Sequence, residues 1–154
     1  MRQPRVVLLA VLMSVALAGC KLKDTDAASG GQIPAPPDVA APPANAVKTA
    51  SGLAFKVLTV GLGSSHPTPQ STVRVHYTVW TPDGKMRESS VPSGEPVTFI
   101  VGQVIPGWIE ALQLMVVGEK RRFWIPGPLA YDNSSDPDRP KGMLVFDIEL
   151  IEIK

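Results

Sequence analysis

The side chains that usually carry covalent or metal chemistry are scarce in this 154-residue chain. It contains one Cys, Cys20, and two His, His66 and His76, so an internal disulfide or a Cys-based zinc site is excluded and any metal site would have few ligands. No Gly-x-Ser-x-Gly nucleophile motif is present. The pair Gly61 and Gly63 lacks the third glycine of a dinucleotide-binding loop. We therefore expect no nucleophilic catalysis, no metal and no cofactor.

The charged residues do not point to a nucleic acid. Fifteen Lys and Arg residues against 14 Asp and Glu residues give a formal net charge of +1 at pH 7. The basic run Lys120–Arg122 precedes two aromatic residues, but three charges on one strand are more typical of a solvated strand edge. His76 lies beside Arg74 on a predicted strand and is likewise assigned to a solvated sheet face. We expect no nucleic-acid partner.

Large aromatic and aliphatic residues are the feature that could form a binding site. They are concentrated where predicted elements meet, at Tyr77, Phe99, Val104, Ile105, Trp108, Tyr131 and Phe146. Phe99 and Phe146 are expected in the core whatever the function. Trp108 begins a predicted helix, and its ring could either pack in the core or form the floor of an apolar pocket. The residue pattern alone leaves these two alternatives open.

A single α+β domain must position those residues. Five segments alternate apolar and polar residues or are rich in β-branched residues, and they predict strands at 53–59, 72–80, 97–101, 119–125 and 143–154, while 85–90 is a weak strand between turns. Between the segments 97–101 and 119–125, apolar residues recur at helical spacing and predict one short amphipathic helix, at Trp108, Ala111, Leu112 and Met115. We expect about five antiparallel strands wrapped across this helix.

The first twenty residues have the composition of an export signal. A basic start, Met1–Arg5, precedes the apolar run Val6–Ala18, which is shorter than the ~20 residues needed to span a bilayer. The ending Leu17-Ala18-Gly19-Cys20 resembles a bacterial lipobox. By that resemblance the chain would be cut before Cys20 and acylated there, which would anchor it stably to a membrane. The alternative is an ordinary signal peptide that ends near a Cys.

These features predict three regions. Residues 1–19 are the lipoprotein signal peptide, residues 20–50 hold the lipidated Cys and a Pro/Ala-rich linker, and residues 51–154 form the folded domain. The linker's prolines favour extended polyproline conformations, so it is expected to form a stalk without a core. We expect a monomer in the bacterial cell envelope, anchored by lipid on Cys20. The outer membrane is favoured, because Lys21 stands where lipoproteins retained in the inner membrane often have Asp.

Several short motifs occur in order along the domain. They are Val75-His-Tyr-Thr78, Asp83-Gly-Lys85, Ser89-Ser90, Val104-Ile-Pro-Gly-Trp108, Met115-x-x-Gly118, Leu129-Ala-Tyr131 and Leu144-Val-Phe-Asp-x-Glu-Leu150. Together they resemble the FKBP-type peptidyl-prolyl cis–trans isomerases, at near-family spacing and over essentially the whole domain. The resemblance implies an FKBP-like half-barrel of five or six antiparallel strands around one helix. It also implies an isomerase that acts on Xaa-Pro bonds of polypeptides and needs no cofactor.

The resemblance also implies a role for each pocket residue. Trp108 would form the floor under the proline ring. The walls would be formed by apolar and aromatic side chains, those of Tyr77, Phe99, Val104, Ile105 and Phe146. The backbone N–H of Ile105 and the hydroxyl of Tyr131 would bind substrate carbonyls.

Three substrate-site positions depart from the family pattern. Arg87 and Glu88 stand where the family usually has Phe-Asp, and Val97 stands at a position that is often aromatic. Arg87 could either point away and leave a shallower cleft or cover the site. We expect weakened isomerase activity and weak binding of macrolide inhibitors. Two rival functions remain, a non-catalytic FKBP-like binding module on a stalk and a structural envelope lipoprotein that reuses the fold.

Overall fold

The computed structural model describes residues 31–154. The predicted signal peptide and Cys20 therefore lie outside the described residues. Seven strands are present in these residues: β1 (Val47–Lys48), β2 (Ala54–Thr59), β3 (Thr72–Trp80), β4 (Met86–Ser89), β5 (Val97–Ile100), β6 (Lys120–Ile125) and β7 (Leu144–Ile153). One α-helix, α1 (Pro106–Gln113), and two 3-10 turns, Val101–Gln103 and Gly127–Leu129, complete the described elements. No helix in residues 31–154 is long and apolar enough to cross a membrane.

All seven strands belong to one antiparallel sheet, in which six follow the order β1-β2-β6-β7-β3-β4 and β5 pairs with β3 beside β4. The long strand β3 pairs with β7 along one edge. Its other edge is shared, because β5 pairs with Thr72–Val75 and β4 pairs with Thr78–Trp80. The predicted α+β class is confirmed, and six of the seven strands coincide with the segments expected from the sequence.

The core lies between the sheet and α1. Alternation along β3 directs Val73, Val75, Tyr77 and Val79 to this side, as the sequence pattern predicts. The helix contributes three buried side chains, those of Trp108, Ala111 and Leu112. Met115 is also fully buried, although it lies two residues beyond the end of α1. The helix thus packs against the face of the sheet that carries Tyr77.

The opposite face of the sheet carries a second apolar cluster, and here the structure corrects the expected linker. Residues 31–50, which we call the N-terminal strap, pack against this face instead of forming a stalk. Trp80 and Trp124 are almost fully buried beneath the strap, where Ile33 and Val39 contact their cluster. The strap and the two indoles bury apolar surface against each other. This burial favours a strap docked on the sheet over a free stalk.

Hydrogen bonds fix the strap in place. The indole N–H of Trp80 donates to the Ile33 carbonyl at 3.0 Å, and that of Trp124 donates to the Asp38 carbonyl at 2.8 Å. The Arg122 guanidinium binds Asp38 at 2.7 Å and also makes two bonds, of 2.7 and 2.8 Å, to Asp147. The strap then enters the sheet through β1. Because β6 lies between β2 and β7, the basic run at its start is not the solvated edge that the sequence predicted.

Candidate active site

A cleft of about 560 Å³ opens on the helix-bearing face of the sheet. Nine of the ten pocket residues predicted from the sequence line it: Tyr77, Arg87, Glu88, Phe99, Val104, Ile105, Trp108, Tyr131 and Phe146. These residues come from four strands, the helix and the loops around it, so the fold gathers side chains that lie up to 70 residues apart in sequence.

Val97 is the predicted residue that does not line the cleft. It lies on β5 opposite Val75 and is only partly buried, packed against the main core. Its neighbour two positions on, Phe99, points to the same side of the strand and does reach the cleft. The structure therefore places the substitution at Val97 next to the site and not in its wall.

Trp108 combines the two alternatives left by the sequence, since it packs in the main core and its ring also forms the floor of the cleft. Pro106 occupies the first helical position, where its missing N–H costs no hydrogen bond. Gly107 allows the helix to approach β6, since a Cβ at this position would overlap the side chain of Ile125. Trp108 is consequently held deep in the fold, with 4% of its surface exposed, while its ring still faces the cleft.

Three aromatic rings surround the Trp108 indole edge to face. The ring centroids of Tyr77 and Phe99 lie 5.3 Å from that of Trp108, and the Phe146 centroid lies 5.6 Å away. The interplanar angles of 77–84° are those that favour aromatic pairs. Within residues 31–154 the buried Trp108 N–H has no hydrogen-bond acceptor. The floor and inner walls of the cleft are therefore formed by aromatic rings packed against one another.

Tyr77 and Glu88 add a polar contact at the wall. The Tyr77 hydroxyl donates to Glu88 Oε1 at 2.6 Å. Burial raises the pKa of the Tyr77 hydroxyl, and the Glu88 carboxylate raises that pKa further by accepting the hydrogen bond. The Tyr77 backbone N–H donates to Ser90 Oγ at 2.9 Å, which ties the strand to the turn after β4. Tyr77 thus remains a neutral donor with a fixed ring position.

Arg87 reaches the same cleft because the pairing of β3 and β4 is irregular. Val79 lies opposite Glu88, whereas Trp80 lies opposite Met86, so Arg87 has no partner residue on β3. Such an extra residue, as in a β-bulge, changes the direction in which the neighbouring side chains of the strand point. Arg87 and Glu88, although consecutive, both line the cleft. The structure has Arg87 exposed and lining the cleft wall, so it does not point away from the site as one of the two alternatives expected.

Besides the buried Trp108 N–H, two donors at the rim of the cleft have no partner inside the described chain. The Ile105 carbonyl accepts from Trp108 and Ile109 at the start of α1, but the Ile105 N–H makes no hydrogen bond within residues 31–154. The Tyr131 hydroxyl also makes none within this range, and its ring is partly buried. Both groups are free to donate to a ligand.

The loop between Tyr131 and β7 supplies residues that the sequence analysis did not assign to the site. Asp138, Arg139 and Pro140 line the cleft, as do Val79, Gln103 and Leu144. The Arg139 guanidinium lies over the Tyr131 ring at 5.0 Å from its centroid. Lys141 Nζ closes the loop by donating to the carbonyls of Tyr131 at 2.8 Å and Ser134 at 2.7 Å. The polar composition of this loop does not predict that it folds back to line the cleft.

The arrangement suits non-covalent chemistry. In residues 31–154 no three His, Cys, Asp or Glu side chains gather as a metal site would require. The groups that face the cleft are broad aromatic rings below and, at the rim, both hydrogen-bond donors and the carboxylates of Glu88 and Asp138. Such a site can bind an apolar ring and orient the carbonyl groups next to it.

Comparison with known proteins agrees with this geometry. Residues 63–151 match the family described as FKBP-type peptidyl-prolyl cis-trans isomerase. The chain is 50% identical over 109 residues to the FKBP-type 22 kDa peptidyl-prolyl cis-trans isomerase of Escherichia coli (strain K12), which covers 68% of this chain and 52% of that relative. It is 43% identical over 106 residues to the outer membrane protein MIP of Legionella longbeachae, covering 68% of this chain and 45% of MIP.

Among solved structures, that of FkpA from Escherichia coli is similar with a TM-score of 0.66 and 35% sequence identity, over 73% of this chain and 53% of that chain. The chain spans about half the length of the curated relatives it matches. The matched region contains β3 to β6, most of β7, α1 and all residues that line the cleft. The FKBP-like fold predicted from the short motifs is confirmed, and the chain belongs to the FKBP-type peptidyl-prolyl cis-trans isomerase family.

Proposed function

We propose that the domain accelerates cis–trans rotation of Xaa-Pro bonds in exported polypeptides. The observation that carries this proposal is the aromatic cleft over Trp108 with two unpartnered donors at its rim. Rotation of the bond requires loss of amide resonance, with a barrier of about 18–20 kcal/mol, and takes tens to hundreds of seconds unaided. No nucleophile or metal is needed, because the reaction breaks no covalent bond.

Each part of the cleft has a role in this mechanism. The proline ring would lie on the Trp108 indole, between Tyr77 and Phe146. The planar amide is more dipolar than the twisted one and loses more on leaving water, so an apolar cleft favours the twisted state. The Ile105 N–H and the Tyr131 hydroxyl would hold the flanking carbonyls in place. Rate acceleration follows because these groups bind the twisted amide better than either planar form.

Exchange NMR on a blocked Ala-Leu-Pro-Phe peptide tests the proposal. The protein would be the chain from residue 20 onward with Cys20→Ser, which keeps every described residue. We expect cis–trans exchange at catalytic protein concentrations. Peptide shift changes without exchange would instead indicate a binding module, the second candidate, which is favoured by Arg87 replacing an aromatic wall. Neither exchange nor shift changes would favour a structural lipoprotein.

We also propose that the protein is a monomer held in the bacterial envelope by lipid on Cys20. The lipobox resemblance of residues 17–20 supports this placement, and the name of the Legionella longbeachae relative, outer membrane protein MIP, agrees with it. Expression in a bacterial host with an alkyne-tagged fatty acid should label the wild-type chain in the membrane fraction. The Cys20→Ser variant should remain unlabelled, and equal labelling of both would contradict the proposal.

A further inference from the structure

Two cations line the cleft, Arg87 and Arg139, and in the described part of the chain only Arg139 has a carboxylate partner. Within residues 31–154 no Asp or Glu oxygen lies within ion-pair distance of the Arg87 guanidinium. Its neighbour Glu88 is engaged by the Tyr77 hydroxyl at 2.6 Å. Arg139, the other cation at the cleft, lies 3.4 Å from Asp136 and is stacked over the Tyr131 ring. Arg87 therefore presents an exposed positive charge at the wall that no carboxylate within residues 31–154 binds directly.

The backbone directs this charge toward the space a substrate would occupy. Consecutive strand residues normally point to opposite faces, and only the irregular pairing opposite Val79 and Trp80 brings Arg87 to the same side as Glu88. A guanidinium can bind a carboxylate through two parallel hydrogen bonds, which fixes geometry as well as charge.

The cleft is also asymmetric in charge. Asp138 lies on the loop before β7, lines the cleft from a different element than Arg87, and makes no ion pair within residues 31–154. An acidic side chain of a bound peptide would be attracted toward the unpaired Arg87 and repelled by Asp138 and by Glu88, whose carboxylate already accepts the Tyr77 hydroxyl. The two flanks of a bound proline are therefore not equivalent.

Building on the proposed isomerase function, we infer that Arg87 is a specificity-determining residue that selects polypeptides with an acidic side chain on one flank of the proline. The apolar floor at Trp108 would bind the proline ring, and Arg87 would bind the neighbouring carboxylate. The preferred substrate class is then an Xaa-Pro or Pro-Xaa segment in which Xaa is Glu or Asp.

Matched peptides isolate this charge effect. Blocked Ala-Glu-Pro-Phe is compared with Ala-Gln-Pro-Phe, and blocked Ala-Leu-Pro-Glu with Ala-Leu-Pro-Gln, using exchange NMR and the chain from residue 20 onward with Cys20→Ser. We expect kcat/KM to be roughly two- to fivefold higher for the Glu peptide in one of the two pairs, as suits an exposed ion pair. The gain should appear mainly in KM and shrink as salt is raised from low ionic strength.

Variants assign the effect to Arg87. Arg87→Gln should bring the Glu-to-Gln ratio to about one, Arg87→Lys should retain most of it, and Arg87→Glu should invert it. Arg74→Gln is the matched control, since it removes one positive charge from an exposed pair with Glu152 that does not line the cleft. The ratio should be unchanged in this control.

The outcomes separate this inference from the proposed function. Equal ratios for wild type and Arg87→Gln in both peptide pairs, with normal catalysis of Ala-Leu-Pro-Phe, would overturn the inference and leave the isomerase intact. If no peptide is isomerised, the proposed function fails, and dissociation constants of the same peptides from NMR shifts then decide whether Arg87 selects acidic ligands.

Discussion

The hydroxyl of Tyr77 donates a 2.6 Å hydrogen bond to Glu88 Oε1 across the paired strands β3 and β4. The Tyr77 ring packs against the Trp108 floor of the cleft, whereas Glu88 is exposed to solvent. The contact therefore joins the aromatic interior of the site to its charged rim.

This contact makes the alkaline titration of Tyr77 a test of the site. Burial and the Glu88 hydrogen bond raise the Tyr77 pKa, so its hydroxyl contributes stability that is complete below about pH 10 and is lost as the pH rises further. Absorbance at 295 nm in a Tyr131→Phe background reports Tyr77 alone, because the chain has two Tyr. We expect little ionisation at pH 10 in the folded protein. Glu88→Gln should lower the Tyr77 pKa, and an unchanged titration would show that the carboxylate has no influence.

Removing the floor of the cleft should abolish most of the activity. Trp108→Ala is expected to lower kcat/KM by roughly tenfold or more, because the proline ring loses its packing surface. The unfolding free energy should fall by about 3–5 kcal/mol. Phe123→Ala is the control, since Phe123 is fully buried but does not line the cleft. Its stability loss should be similar while the activity of the folded fraction is kept.

The Tyr131 hydroxyl is expected to contribute one hydrogen bond to the substrate. Tyr131→Phe should lower kcat/KM by roughly five- to tenfold, corresponding to about 1 kcal/mol. Stability should change little, because the hydroxyl has no partner within residues 31–154. Full activity in this variant would assign the donor role to other groups.

Arg87→Phe should raise activity toward Ala-Leu-Pro-Phe severalfold. The substitution would return an aromatic ring to the cleft wall, where Arg87 now lies exposed. A variant no faster than wild type on this apolar peptide would show that the position does not limit catalysis.

The strap should stabilise the domain without taking part in catalysis. Asp38→Ala removes one of the two carboxylates bound to Arg122 and should lower the unfolding free energy by about 1–3 kcal/mol. Glu152→Gln, which alters an exposed pair at 3.5 Å, is the control and should change it by less than about 1 kcal/mol. Urea denaturation followed by Trp fluorescence measures both, and equal effects would contradict a structural role for the strap.

Most of the fold could be predicted because each element carries a strong local pattern. Thr72–Trp80 alternates so regularly that its bounds and its core face match the structure. The motif around Pro106 and Trp108 likewise located the floor of the cleft. The strand was predicted from the alternation of its own residues, and the floor of the cleft from a motif that resembles a known family.

The parts that could not be predicted depend on distant contacts. Residues 31–50 have the composition of a linker, and only the two Trp side chains on the far face of the sheet explain why they are ordered there. The path of Arg139 over Tyr131 depends on Lys141 closing a polar loop. The shared position of Arg87 and Glu88 depends on a register shift that no sequence period indicates.

Docking of the strap also limits how far the catalytic cleft can move from a membrane. With Cys20 acylated as proposed, a free stalk of residues 21–50 could place the domain about 100 Å from the lipid, whereas the eleven residues 21–31 reach at most about 40 Å. Gly31 lies against Pro92, just beyond the strand that carries Arg87 and Glu88. The tether would thus enter the domain at the turn after β4, and isomerase activity would then be confined to polypeptides within a few tens of ångströms of the bilayer.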